Sequence, residues 1–260
     1  MPEFSYIART QDGARKENTI SAQNINEASD ILSSQNLSVI KITERDTSFD
    51  FMGPFIKDEG AIAKGKVRYI GCSTHPAWAV LEAVLISEMK GYVRFVSEQP
   101  PYNLLDRRIE NELIPVCEKY GVGIITWAPM AMGVLAGRYD DHKKFPEGSR
   151  AALRGGFYAD RVTEKGIEVG RAFSKIAKQH DLTPAQLAIL WCKDQPGITA
   201  PLIGPRTVKQ LEPLLPILEK QLDEETRRAC DELVPPGSVV ANFHNTADWM
   251  KTVIHGVGPS

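Results

Sequence analysis

Gly65–Trp78, GKVRYIGCSTHPAW, is the stretch on which the reading of this chain turns. Val67–Cys72 reads as a buried strand. Ser73-Thr74-His75 is a polar turn, and Pro76-Ala77-Trp78 opens a helix, because proline is tolerated in a first helical turn. The alternation continues downstream. The spacing predicts a helix over 77–89, a strand over 95–99 and a strand over 122–128. Between those strands a helix over 108–120 puts Ile109, Leu113, Val116 and Tyr120 on one face. Another helix near 164–180 turns Val169, Phe173 and Ile176 inward. Thr183-Pro184-Ala185-Gln186 has the form of a capping box, so a further helix starts there. A last core strand spans 198–203, followed by helices near 208–218 and 224–233. Apolar strands each followed by a helix, four in all, predict an α/β fold with a parallel sheet covered by helices.

The residues ahead of this stretch have a different texture. Phe4, Tyr6 and Ala8 alternate with polar residues, as do Ile20 and Ala22, with the turn signal Asp12-Gly13 between. Residues 24–37 carry Ile25, Ala28, Ile31 and Leu32 at helical spacing, and 38–42 is a strand. The order predicted for residues 1–50 is β-β-α-β, too small to be stable without packing on something else. Residues 51–64 form a linker with Gly53-Pro54 and Gly60 as breakers, and 65–260 the larger domain.

Composition narrows the function classes. With 31 Lys+Arg against 33 Asp+Glu, net charge −2, nothing favours nucleic acid or an anionic membrane. No run of about 18 apolar residues marks a membrane span. Met1–Ser5 lacks the basic and apolar regions of a signal peptide, so a cytoplasmic protein is expected. Cys72, Cys117, Cys192 and Cys230 are far apart with no CxxC pair, which argues for buried thiols and against a zinc centre.

Four segments together carry a resemblance. They are Gly65–Trp78, Phe95–Tyr139 (FVSEQPPYNLLDRRIENELIPVCEKYGVGIITWAPMAMGVLAGRY), Leu182–Cys192 (LTPAQLAILWC) and Leu202–Glu212 (LIGPRTVKQLE). In this order they resemble the aldo-keto reductases, in the branch that includes potassium-channel β subunits and bacterial aldehyde reductases. The resemblance implies the second half, strands five to eight, of a (β/α)8 barrel. It also implies that strands one to four, which carry the family's catalytic Tyr, Asp, Lys and His, have no counterpart here, so no catalytic residue is assigned. Residues 1–45 are similar to the N-terminal repeat of inner-membrane platform proteins of type II secretion and type IV pilus assembly, through Phe4, Tyr6, Ala8, Gly13, Ile20, Ala22, Glu27, Ala28 and Leu32. Together the two resemblances imply a chimera.

The reductase resemblance implies an NADP site at the C-terminal ends of the strands. Ser73 and Gln99 would bond the carboxamide and Trp127 would stack on the nicotinamide ring. The 128–133 segment, with Ala128, Met130 and Gly133, would wrap the pyrophosphate with Arg138 and Arg150. Gly204, Arg206 and Gln210 would face the adenosine end, where a guanidinium suits a 2′-phosphate. Thr74 replaces the family's common Asn, and Pro213-Leu214 an adenine-reading Glu-Asn pair. The residues by themselves also admit plainer roles: Trp127 as a packed aromatic, Ser73 as a helix cap, Arg138 and Arg150 as surface charges. Residues 140–158 lack periodicity and read as a lid or a disordered loop. Tyr102 and His75 lie just past strand ends but read as packing residues. Four parallel strands leave two open edges and an apolar face. A homodimer closing an eight-stranded barrel is the expected cover, with residues 1–50 as the alternative plug. A non-enzymatic self-assembling fold and a secretion-related interaction module remain as other readings.

Overall fold

A computed structural model describes residues 3–10, 13–45 and 65–244. The chain divides into two compact units, Met1–Lys64 and Gly65–Ser260. The expected 51–64 linker lies outside the described residues.

In the first unit β1 (Glu3–Arg9) lies between β2 (Arg15–Ser21) and β3 (Ser38–Arg45), both antiparallel to it. Helix α1 (Ile25–Ser34) packs on one face. Its start is chemically determined. The Asn24 side chain accepts the Glu27 N–H at 3.0 Å, and Glu27 accepts the Gln23 N–H in return. Phe4, Tyr6, Ala8, Ala22, Ala28, Leu32 and Leu37 are buried together, as alternation and helical spacing require. Ile25 is the exception, lying exposed in the first helical turn.

In the second unit four parallel strands run in the order β4 (Ile70–Cys72), β5 (Phe95–Glu98), β6 (Gly123–Thr126), β7 (Ala200–Pro201). Helices follow them: α2 (Ala77–Lys90) after β4 and α3 (Leu113–Tyr120) after β5. After β6 come the short α4 (Arg150–Arg154) and α5 (Phe157–Asp160), then α6 (Glu164–Gln179) and α7 (Pro184–Lys193). The predicted capping box at Thr183 and Gln186 is present in full. After β7 come α8 (Val208–Leu211) and α9 (Glu224–Leu233). This is an α/β fold with a parallel sheet and covering helices.

Several boundaries differ from expectation, each for a local reason. The predicted 108–120 helix is a 3-10 turn, Arg108–Glu110, and then α3. Pro115 must sit in a first turn, because its ring would clash with the carbonyl four residues back. The predicted 208–218 helix is likewise α8 followed by a 3-10 run, Glu212–Glu219, which contains Pro213 and Pro216. The predicted 198–203 strand shrinks to two residues because Pro201 offers no N–H to the ladder. Its flanks still pair: Thr199 N–H donates to Ile124 O at 2.9 Å and Leu202 N–H to Thr126 O at 2.7 Å. Residues 67–69 precede β4 without strand pairing and are exposed. Residues 140–158 hold turns and part of two short helices rather than a featureless loop. Gly71 is required where β4 meets β5: a Cβ there would lie 2.8 Å from Ser97 O.

Candidate functional site

The parallel ladder continues past the named ends of β5 and β6. Trp127 N–H donates to Pro100 O at 2.9 Å, and Tyr102 N–H donates to Trp127 O at 3.1 Å. That register fixes where Trp127 leaves the sheet. Its ring is half-buried, and its Nε1 donates to Thr74 Oγ1 at 3.4 Å. Thr74 Oγ1 is 3.2 Å from Ser73 Oγ, which donates to Gln99 O at 2.9 Å. Gln99 N–H in turn donates to Cys72 O at 2.9 Å. Ser73, Gln99 and Trp127, which the resemblance implies from two separate segments, are thus joined at the C-terminal ends of three adjacent strands. Thr74 joins them.

The backbone at these ends is unusual. Thr74 and Ala128, the second residues after β4 and β6, both take the left-handed region, at φ 61° and 59°. Ala131 and Met132 do so too, at φ 48° and 58°. Positive φ at a non-glycine residue costs on the order of 1–3 kcal/mol and clusters at ligand sites. Gly133, at φ 105°, takes a conformation that favours glycine, and the Arg138 side chain runs close across it.

The other expected residues divide. Arg138 and Arg150 are exposed, Arg150 as the first residue of α4. Met130 packs against buried Ile189, Leu214 and Ile217, so its side chain serves the core. Gly204, Arg206 and Gln210 lie in the exposed segment after β7. There the Gln210 side chain accepts the Arg206 N–H at 2.8 Å, which commits its oxygen to the loop. Tyr102 is fully buried and its hydroxyl donates to Glu110 at 2.6 Å. Burial, then the adjacent Glu110 carboxylate, push its pKa up. His75 is half-buried, its N–H donates to Glu98 Oε1 at 2.9 Å, and burial pulls its pKa down to about 4.

The sequence reading missed Arg161. It is 4% exposed, and its guanidinium carbon lies 5.2 Å from the centre of the Trp127 ring. Phe157, Tyr158 and Phe243 surround it at 4.9 to 5.8 Å. Desolvation lowers its pKa to about 10, so it remains charged at neutral pH. The cation braces the Trp127 ring. Phe157-Tyr158 three residues upstream was the available signal, but the third dimension makes the cage.

Comparison with known proteins places this geometry. Residues 54–235 match the aldo/keto reductase family, and residues 1–43 match the N-terminal domain of type II secretion system protein F. An uncharacterized oxidoreductase, YrpG of Bacillus subtilis, is 34% identical over 180 residues, 69% of this chain and 53% of that protein. Protein tas of Escherichia coli is 33% identical over 163 residues, 62% of this chain and 46% of that protein. A putative voltage-gated potassium channel subunit beta of Schizosaccharomyces pombe is 32% identical over 178 residues, 63% of this chain and 51% of that protein. The chain spans about half the length of these curated relatives. With the matching segment covering more than half of the chain, and the parallel sheet and its strand-end residues within or beside it, the chain belongs to the aldo/keto reductase family.

Proposed function

We propose that residues 65–260 are a half (β/α)8 barrel that retains a weak NADP(H) site, joined to a secretion-type N-terminal segment in a chimera. The observation that carries this reading is the hydrogen-bonded set Ser73, Thr74, Gln99 and Trp127 at three adjacent strand ends, beside left-handed backbone at Ala128, Ala131 and Met132. These residues fit the nicotinamide end of a dinucleotide. Ser73 and Gln99 offer polar groups to the carboxamide, and the braced Trp127 offers a ring face. Arg138, Arg150 and Arg206 are exposed cations suited to the phosphates. When bound, NADPH supplies a hydride. The proton donor of a reductase must come from the chain. Tyr102 donates its hydroxyl to Glu110 and is buried, so it does not serve. Residues 1–43 match a different family rather than the first half of a reductase. Turnover is therefore absent or very slow.

The test is an NADPH titration by calorimetry, paired with an aldehyde-dependent oxidation assay. We expect micromolar-range binding, weakened at least tenfold in Trp127→Ala, and no turnover above background. Silence at millimolar NADPH overturns the cofactor reading; brisk aldehyde reduction overturns the loss of catalysis. One observation favours a second reading, a non-enzymatic fold without cofactor. Met130 and the Gln210 oxygen are engaged inside the protein, and the N–H groups of Ala131 and Gly133 donate to Ala128 O and Met130 O.

Dimer closure belongs to the same proposal. β4 and β7 are the edges of the sheet, and Tyr69, Val96, Leu202 and Ile203 are exposed along its strands or beside them, Tyr69 at 70%. A second copy applied to one face of the sheet would cover its edges and those of the apolar side chains that point to that face.

A further inference from the structure

A second cluster lies beside the strand-end set but shares none of its side chains. Cys72 and Glu98 are register partners across β4 and β5, so their side chains leave the sheet on one face. Cys72 is 6% exposed and Glu98 fully buried. His75 follows Cys72 by three residues. Its backbone N–H donates to Glu98 Oε1 at 2.9 Å, and this bond carries the imidazole to the carboxylate, with Nδ1 4.0 Å from Glu98 Oε2. One potential ligand atom from each of Cys72, His75 and Glu98 lies within 4.8 Å of the others.

Glu98 Oε2 is the informative atom. It is buried and has no N–H or O–H partner, and the Cys72 thiol interacts with the same carboxylate. A buried carboxylate oxygen left in that condition is costly, and a cation is one chemical remedy.

We propose that Cys72, His75 and Glu98 form a binding site for one divalent cation of the zinc class, tying the end of β4 to the end of β5. A thiolate, an imidazole and a carboxylate suit zinc or cobalt(II), whereas calcium and magnesium call for oxygen ligands alone. Tetrahedral bonds of about 2.0–2.3 Å place ligand atoms roughly 3.3–3.8 Å apart, so closure needs contraction of up to about 1.5 Å. His75, the one ligand reaching solvent, provides both the mobile member and the way in. On loading, the cysteine sulfur gives up its proton to solvent as the metal–sulfur bond forms, and a water fills the fourth position. No oxidation or reduction is involved. The cation would hold the backbone one residue away from both Ser73 and Gln99.

The experiment is cobalt(II) titration of the chelator-stripped full chain, followed by absorption spectroscopy. We expect one equivalent to bind with a thiolate-to-cobalt charge-transfer band and the intense visible bands of tetrahedral cobalt, all bleached by zinc. Cys72→Ser should abolish the charge-transfer band. His75→Ala should weaken binding at least tenfold, and its half-buried position makes it the variant least liable to disturb folding. Circular dichroism checks each variant, and zinc should raise the melting temperature of the parent but not of His75→Ala. The proposal is overturned by the absence of a charge-transfer band at excess cobalt. It is also overturned by a band that survives Cys72→Ser, or by a folded His75→Ala that titrates like the parent. Binding of NADPH plays no part in the readout.

Discussion

Arg107 shows how much of this molecule hangs on single buried side chains. It is 2% exposed and donates to Glu110 at 2.7 Å and to Asp231 and Val234 O at 2.6 Å. It also lies against the buried Trp191 ring at 5.2 Å. Glu110 in turn accepts the Tyr102 hydroxyl and the Gly237 N–H. Removing the cation leaves Glu110 and Asp231 without their shared counter-charge, and breaking a buried pair costs about 3–5 kcal/mol. Arg107→Ala should lose that much in a urea unfolding curve, and an unchanged midpoint would refute the network's role. Gly71→Ala should cost about 1–3 kcal/mol by overpacking against Ser97. The motif containing Arg107 was legible in the sequence, but its partners were not, since Asp231 is 124 positions away.

Among the elements, α9 offers a clean test because its start rests on one side chain. Asp223 accepts the Thr226 hydroxyl at 2.6 Å and the Thr226 N–H at 2.7 Å. These bonds, hydroxyl first, hold its carboxyl below the usual aspartate range. The sign follows directly. A carboxylate depressed on folding stabilises the protein above its unfolded pKa of about 3.9. That contribution disappears as pH falls through the lower folded value. Asp223→Ala should therefore cost about 1 kcal/mol at neutral pH, with the difference from the parent vanishing in strong acid. Stability curves at several pH values measure it, and a difference independent of pH would contradict the cap. The Asp223-x-x-Thr226 start and the Thr183 box could be read from sequence because both partners lie within one turn. The breaks ahead of α3 and after α8 could have been read too, from Pro115, Pro213 and Pro216, had proline been weighed above apolar spacing.

For the whole molecule the open question is what covers the sheet. If a second copy does, light scattering on the eluting protein should report the mass of two chains. Val96→Asp, which places a charge on the proposed contact face, should shift that mass to one chain while leaving the circular dichroism spectrum intact. A single-chain mass for the parent at micromolar concentration would dismiss dimer closure. Among the described residues no helix is long and apolar enough to cross a membrane.

By itself the sequence determined the alternating strands and helices, the Thr183 capping box, the parallel sheet and the family, because these depend on spacing along the chain and on short motifs. Through the reductase resemblance it also named Ser73, Gln99 and Trp127. Tertiary structure alone decided that these three are joined through Thr74, that Arg161 braces Trp127, and that Met130 turns into the core. It also brought Glu98 against Cys72 and His75. The Cys72-x-x-His75 spacing was visible, but its carboxylate arrives from the neighbouring strand. Parallel pairing sets residues side by side that lie about 25 positions apart. That register is fixed by burial and by crossover connections, and neither is written in any local stretch.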